Sequence, residues 1–232
     1  MLEDIEVLYH SSIKIKKNKI VYFDPYNIDR DYNDADIVFI THDHYDHYSE
    51  NDIDKVINKS SVIVIPEGLL EKLLKKGYNK ELIITLKPNE TKMIDTVKVE
   101  TIPAYNINKQ FHPKENNWIG YIIEMNNIRY YVAGDTDITE ENINVKCDIA
   151  MVPIGGTYTM NYKEAAELIN TIKPKIAIPT HYGSIVGTKQ DAIEFSKLIY
   201  PTVKCEILMK WFYIKNNKQV LILFTLLNII VV

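Results

Sequence analysis

Residues 42–47 read His-Asp-His-Tyr-Asp-His, placing three of the chain's six histidines within six positions, with Asp46 beside the last. Imidazoles and carboxylates gathered on one loop are the donor set a divalent metal ion requires. Alternate side chains of an extended turn point the same way. His42 and His44 can therefore bind one ion while Asp46 and His47 turn toward a neighbouring one. Core packing does not explain so tight a spacing. Two further signals lie downstream, Gly134-Asp135-Thr136 and Thr180-His181-Tyr182-Gly183. A strand ending in Gly-Asp is by itself usually a turn. Beside a metal loop, Asp135 becomes a carboxylate able to bridge two cations at the roughly 3.5–4 Å separation of two-metal hydrolysis. His181 again follows an apolar run, Ile176-Ala177-Ile178-Pro179, and its flanks are those of a tight functional loop.

These side chains need strands that end where they begin. Asp36–Ile40 is an apolar, β-branched run that reads as a buried strand delivering the first motif. Further strands are expected at Ile5–Tyr9, Ile20–Phe23, Ser61–Ile65, Leu82–Leu86, Val97–Ile102, Ile119–Glu124, Ile128–Ala133, Asp148–Val152 and Ile176–Ile178, with a tight turn at Asn126-Asn127. Lys14-Ile15-Lys16-Lys17 reads as a solvated hairpin edge. Helices interrupt the strands. Ser49 can cap one bearing Ile53, Val56 and Ile57. Pro66 opens another with Leu69, Leu70, Leu73 and Leu74 on one face, closed by Gly77. Asn161 and Glu164 form a capping-box pattern ahead of Ala165, Ala166 and Ile169, and Thr188 precedes Ala192, Phe195 and Ile199. Both halves carry strands and helices, which a helix–sheet–sheet–helix sandwich accommodates better than a doubly wound sheet.

The 232 residues, 46% hydrophobic and 25% charged, suffice for one large domain with its own core. A net charge of −4 with no Lys/Arg block argues against an obligate nucleic-acid partner and leaves a small molecule as the expected substrate. Cys147 and Cys205 read as two buried thiols of a reducing cytoplasm, and Met1-Leu2-Glu3-Asp4 lacks the apolar core of a signal peptide. Domain boundaries are expected at 1–215 for the hydrolase-like body and 216–232 for an apolar C-terminal strand or tail. Val220–Val232 is too short to span a bilayer as a helix. It reads as a final strand, with a membrane contact or a homo-oligomer-forming tail as the alternatives.

The motif His42-x-His44-x-Asp46-His47, then Gly134-Asp135-Thr136, then His181, resembles the metallo-β-lactamase fold superfamily over residues from about 5 to 210. The chain looks most like its L-ascorbate-6-phosphate lactonase-like metal-dependent hydrolases, through Phe23-Asp24-Pro25, Ile102-Pro103-Ala104-Tyr105-Asn106, Phe111-His112-Pro113-Lys114 and Tyr158-Thr159-Met160. The resemblance implies an α+β fold, a four-layer αββα sandwich with a dinuclear site at one edge. One ion would use His42, His44 and Asp135; the other would use Asp46, His47, Asp135 and His181. The superfamily usually places a further histidine after a Pro-Gly pair, where this chain has Pro103-Ala104. His112 could supply that imidazole, contact substrate, or lie at the surface before Pro113.

Asp24 is read as the partner that orients a ligand histidine, and His10 as structural, with a position near the site as its alternative. Asp46 could orient a metal-activated water and accept its proton. Tyr105, Asn106 and Lys114 are placed to contact substrate, Lys114 suiting a phosphate or carboxylate. Relatives holding two irons carry Glu where this chain has His44. Two divalent ions are therefore expected, zinc first, with manganese or iron compatible. The expected chemistry is hydrolysis of a small ester, lactone or phosphoester. A phosphodiesterase or nuclease of the same fold, or a metal-binding protein with vestigial activity, is the alternative.

Overall fold

A computed structural model describes residues 2–209, 213–215 and 218–220. Thirteen strands of its main body form two sheets. The first joins β1 (Ile5–Tyr9), β2 (Ser12–Lys16), β3 (Ile20–Phe23), β4 (Ile37–Phe39), β5 (Val62–Pro66) and β6 (Ile83–Leu86) in that order, antiparallel up to β3 and parallel beyond it. The second contains β7 (Thr91–Ile94), β8 (Val97–Pro103), β9 (Ile119–Met125), β10 (Ile128–Val132), β11 (Ile149–Pro153), β12 (Ile176–Thr180) and β13 (Lys204–Cys205). They too lie in sequence order, antiparallel up to β10 and parallel from there. Helices α1 (Glu50–Val56) and α2 (Leu70–Lys76) belong to the first half, and α3 (Tyr162–Ile172) and α4 (Lys189–Leu198) to the second.

Alternation along the central strands creates the layers. Val21, Phe23, Ile37, Phe39 and Val64 turn into a core shared with Val97, Val99, Tyr121 and Ile123 of the second sheet. Their neighbours Tyr22, Val38, Ile40, Ile63 and Ile65 turn the other way, onto Ile53, Val56, Leu69 and Leu73 of the first helical layer. A strand covered on both faces must be apolar throughout, which is why 37–40 reads as a continuous run. Ala165, Leu168, Ile169 and Phe195 of α3 and α4 are buried against the second sheet. The architecture is thus the four-layer αββα sandwich. Phe23 stacks on Phe39 at 4.9 Å, and Phe39 meets Tyr121 at 5.0 Å. The Tyr121 hydroxyl donates to the Ile40 carbonyl at 2.7 Å, tying the two sheets together directly beneath the 42–47 loop.

Local signals are met with a few exceptions. Both expected capping patterns form, Asn161 with Glu164 and Thr188 with Asp191. Asn126 and Asn127 take φ of 51° and 59° in the β9–β10 turn. Gly77 ends α2 at φ 92°. Three readings need correction. Lys14 is not on a solvated edge: β2 lies between β1 and β3, and Lys14 is buried, its ammonium 2.6 Å from Asp34 and over the rings of Tyr22 and Tyr32. The paired carboxylate and the aromatic faces offset the cost of burying the charge. Ser49 stands at the start of α1 but accepts no backbone N–H; its hydroxyl donates to Asp52 instead. Pro66 closes β5, and α2 begins only at Leu70 after a 3₁₀ turn. β7 was not foreseen, because three of its four residues face solvent and give no apolar pattern.

Beyond the body, β14 (Tyr213–Lys215) and β15 (Lys218–Val220) pair antiparallel, so the expected boundary at 215/216 falls between the strands of a hairpin. The expected apolar segment from 221 to 232 lies outside the described residues. Among the described residues no helix is long and apolar enough to cross a membrane. Cys147 and Cys205 are unbridged, and burial pushes both thiols up to about 12. Thiols held protonated are inert, which fits a structural role.

Candidate metal centre

The loops after β4, β8, β10 and β12 and the β1–β2 hairpin converge at one edge of the sandwich. After β4 the chain runs extended through Thr41 and turns tightly over His44–Tyr48, where the N–H groups of His47 and Tyr48 both donate to the His44 carbonyl. Gly134, at φ 66°, lets the β10 loop press against this segment: a Cβ there would stand 3.2 Å from that of Thr41. Gly155 gives the same closeness behind His181, whose carbonyl would lie 2.4 Å from an added Cβ. His10, Asp24, His112 and His181 all adopt left-handed backbone, with φ between 44° and 61°. Left-handed conformations at non-glycine residues are held only where the surroundings impose them, and they cluster at functional sites.

Asp135 lies at the centre. Its Oδ1 is 3.2 Å from His47 Nε2; its Oδ2 is 3.0 Å from His181 Nε2, 3.3 Å from His112 Nε2 and 3.9 Å from His42 Nε2. Asp46 Oδ2 stands 3.3 Å from His10 Nε2, 3.5 Å from His181 Nε2 and 3.6 Å from His47 Nε2. His44 Nδ1 is 3.1 Å from His42 Nε2. Three compact donor groups result: His42, His44 and His112; His42, His47 and Asp135; His10, Asp46 and His181.

Burial without hydrogen bonding identifies what these groups fit. The Nε2 atoms of His10, His47, His112 and His181, and Oδ1 of Asp135, are buried and lack an aligned hydrogen-bond partner, although carboxylate oxygens lie 3.0–3.6 Å away. Unsatisfied buried polar atoms are rare and costly. Several lone pairs aimed into one region suit a shared cation rather than one another.

The charge balance divides the histidines. Burial opposes ionisation of Asp135, yet the charges of His181 and His47 hold its carboxyl well below the usual range. Burial alone would lower His47, but Asp135 and Asp24 hold it well above an ordinary imidazole. For His42 burial wins, and its pKa falls well below 6.5. Burial also brings His10 down to about 4. His42 and His10 are therefore neutral at pH 7, the form in which an imidazole coordinates a metal.

Supporting contacts fix the rings. Asp24 accepts from the Thr41 N–H at 2.8 Å and the Thr41 hydroxyl at 2.7 Å, and its Oδ2 is 2.8 Å from His47 Nδ1. Asn106 Nδ2 lies 3.2 Å from His112 Nδ1 and donates to the carbonyls of Phe111 and Tyr158. Its side chain thus braces the histidine loop. Tyr105 donates through its hydroxyl to Glu141, and Lys114 is paired with the same carboxylate at 2.9 Å.

Two residues have a place here that the sequence reading did not favour or did not see. His10 was expected to be structural, but it is fully buried with its ring 3.9 Å from that of His181 and its Nδ1 2.9 Å from the Ser184 hydroxyl. Trp118 packs 4.9 Å from both His42 and His44 and 5.4 Å from His112. Only folding brings either one to the motif. A surface hollow lies elsewhere, between α1 and α2 around Glu50, Asp54 and Tyr78, and none of the histidines lines it.

Comparison with known proteins agrees with this geometry. The family model described as a beta-lactamase superfamily domain matches residues 4–181. A metal-dependent hydrolase of Pyrococcus furiosus is 27% identical over 217 residues, covering 88% of this chain and 95% of that protein. Among solved structures, a candidate metal-dependent hydrolase from Parabacteroides distasonis has 30% identity and a TM-score of 0.74, covering 88% of this chain and 91% of its own. A metallo hydrolase from Ignicoccus hospitalis shares the fold at 20% identity, with a TM-score of 0.73 and coverage of 95% and 98%. The matched span begins before His10 and ends on His181, so it contains every histidine and both central carboxylates of the converging site, and the chain belongs to the beta-lactamase superfamily.

Proposed function

We propose that the chain is a metal-dependent hydrolase of a small ester, lactone or phosphoester. The observation that carries this reading is the set of buried, unpartnered imidazole nitrogens directed at Asp135. The naming of relatives as metal-dependent hydrolases supports it. His42, His44 and His112 would hold one divalent ion, and Asp46, His47 and His181 the other, with Asp135 shared between them. Zinc is favoured by the nitrogen-rich donor set, with manganese or iron compatible. Such ions lower the pKa of bound water and polarise the carbonyl or phosphoryl oxygen under attack.

The chain's own groups do the rest. Asp46 accepts the proton of the attacking water; burial disfavours its charge, but the nearby rings of His10, His181 and His47 keep it ionised. Asp24 fixes His47 through Nδ1, so that Nε2 faces Asp135. Trp118 shields His42, His44 and His112 from bulk water on one side. The substrate is a small molecule rather than nucleic acid, and the compartment is the cytoplasm.

A panel of carboxylic esters, lactones and phosphoesters, assayed before and after treatment with a chelator, tests the reading. Turnover of at least one class is expected, lost on chelation and restored by zinc or manganese. Turnover indifferent to metal removal would refute it. His112→Ala is expected to lower the bound metal by about one equivalent per chain, since His112 Nε2 lies 3.3 Å from Asp135. Unchanged stoichiometry would remove it from the ligand set.

A further inference from the structure

Resting on that reading, we infer that the substrate is an uncharged ester or lactone bearing an apolar aliphatic or aromatic group. The loops that carry the histidines also carry exposed apolar side chains beside them. Tyr45, 64% exposed, stands between His44 and Asp46; Phe111, 45% exposed, immediately precedes His112; Ile185, 36% exposed, follows Ser184, the partner of His10. The two aromatic ones each pack against a second ring. Phe111 meets Tyr158 edge-on at 4.8 Å, and the Tyr158 carbonyl accepts from the same Asn106 that braces His112. Tyr45 meets Tyr26 edge-on at 6.0 Å. Trp118 supplies an aromatic wall against His42 and His44. Fixed aromatic faces around a few polar reacting groups are what an apolar ligand uses for burial and orientation.

The cations of these loops are already committed. Lys109 is paired with Asp137, Lys114 with Glu141, and Lys72, which reaches the first loop, with Asp43. A phosphate or carboxylate group on the substrate would have to share one of these ammonium groups with a carboxylate already paired to it, setting two anions side by side. An uncharged acyl or alkyl group meets no such cost. Water's oxygen joins the acyl carbon, the acyl C–O bond breaks, and the leaving oxygen takes a proton. An ester thus gives an acid and an alcohol, and a lactone a single hydroxy acid.

The test uses the full-length, metal-replete protein. Rates are measured on p-nitrophenyl acyl esters from two to eight carbons, on γ-lactones of matching chain length and on 6-phosphogluconolactone. kcat/KM should rise about four-fold per added methylene while the chain is being buried, and the phosphorylated lactone should be at least about 100-fold slower than a neutral one. Phe111→Ser and Tyr45→Ser should flatten the chain-length dependence with metal content at the wild-type level. In parallel, hexanamide should quench tryptophan fluorescence, a response absent in Trp118→Phe, and glycerol 2-phosphate should not. A phosphorylated lactone turned over as fast as the neutral ones would overturn the inference and leave the hydrolase reading standing. Absence of all turnover with hexanamide still bound would overturn the hydrolase reading and keep the apolar site. Failure of hexanamide to bind would overturn the inference whatever the rates.

Discussion

Asp135→Ala is expected to reduce turnover by at least about 10³-fold and to leave the purified protein depleted of metal. Each Asp135 oxygen faces a different part of the cluster, Oδ1 toward His47 and Oδ2 toward His181 and His112. One substitution therefore removes a donor from both proposed ions. Loss of about 4 kcal/mol of charge stabilisation in the transition state corresponds to roughly that factor in rate. The variant also leaves the buried His47 and His181 without the carboxylate that favours their charged forms. Steady-state kinetics with metal analysis of the same preparation reads both effects. A variant retaining full activity and two metal equivalents would rule out Asp135 as a shared ligand.

A second large effect is expected at Asp24, which lies behind the cluster. It is fully buried and accepts from the Thr41 backbone, the Thr41 hydroxyl and the His47 ring. Truncation to alanine orphans the Thr41 N–H and removes the carboxylate from the Thr41 hydroxyl and His47 Nδ1 at the root of the 42–47 loop. Removing one member of a buried, charge-assisted network costs about 3–5 kcal/mol, and loss of an outer partner of a ligating histidine lowers metal affinity about 10–100-fold. Asp24→Ala should therefore show both a clear drop in Tm and weaker zinc binding in competition with a chromophoric chelator. Wild-type values for both would mean that Asp24 neither supports the loop nor orients His47. Asp24→Asn keeps one acceptor oxygen and should fall between the two.

Sequence reading worked where function is written into short stretches of chain. The 42–47 motif is self-announcing because its donors are adjacent, and Asp135 and His181 stand at the ends of apolar runs that become β10 and β12. The layers were legible too, since 37–40 is apolar throughout and proves to be covered on both faces. Long-range packing was not legible. His10 resembles an ordinary hairpin histidine until folding brings Ser184, 174 positions away, within 2.9 Å of it. Trp118 carries no local mark of its place against the histidines. Lys14 looked solvated because alternation does not reveal that β1 covers the edge and that Asp34 returns to meet the charge. Asn106 and Lys114 were placed near the site by position alone. The fold engages one with His112 and the other with Glu141.

Elemental analysis of the protein, purified without chelator or added metal, tests the central claim most directly. A dinuclear centre built on Asp135 predicts about two equivalents of zinc, manganese or iron per chain, falling below one in Asp135→Ala. A wild-type protein that holds no divalent metal, even after reconstitution with zinc and manganese, would contradict it.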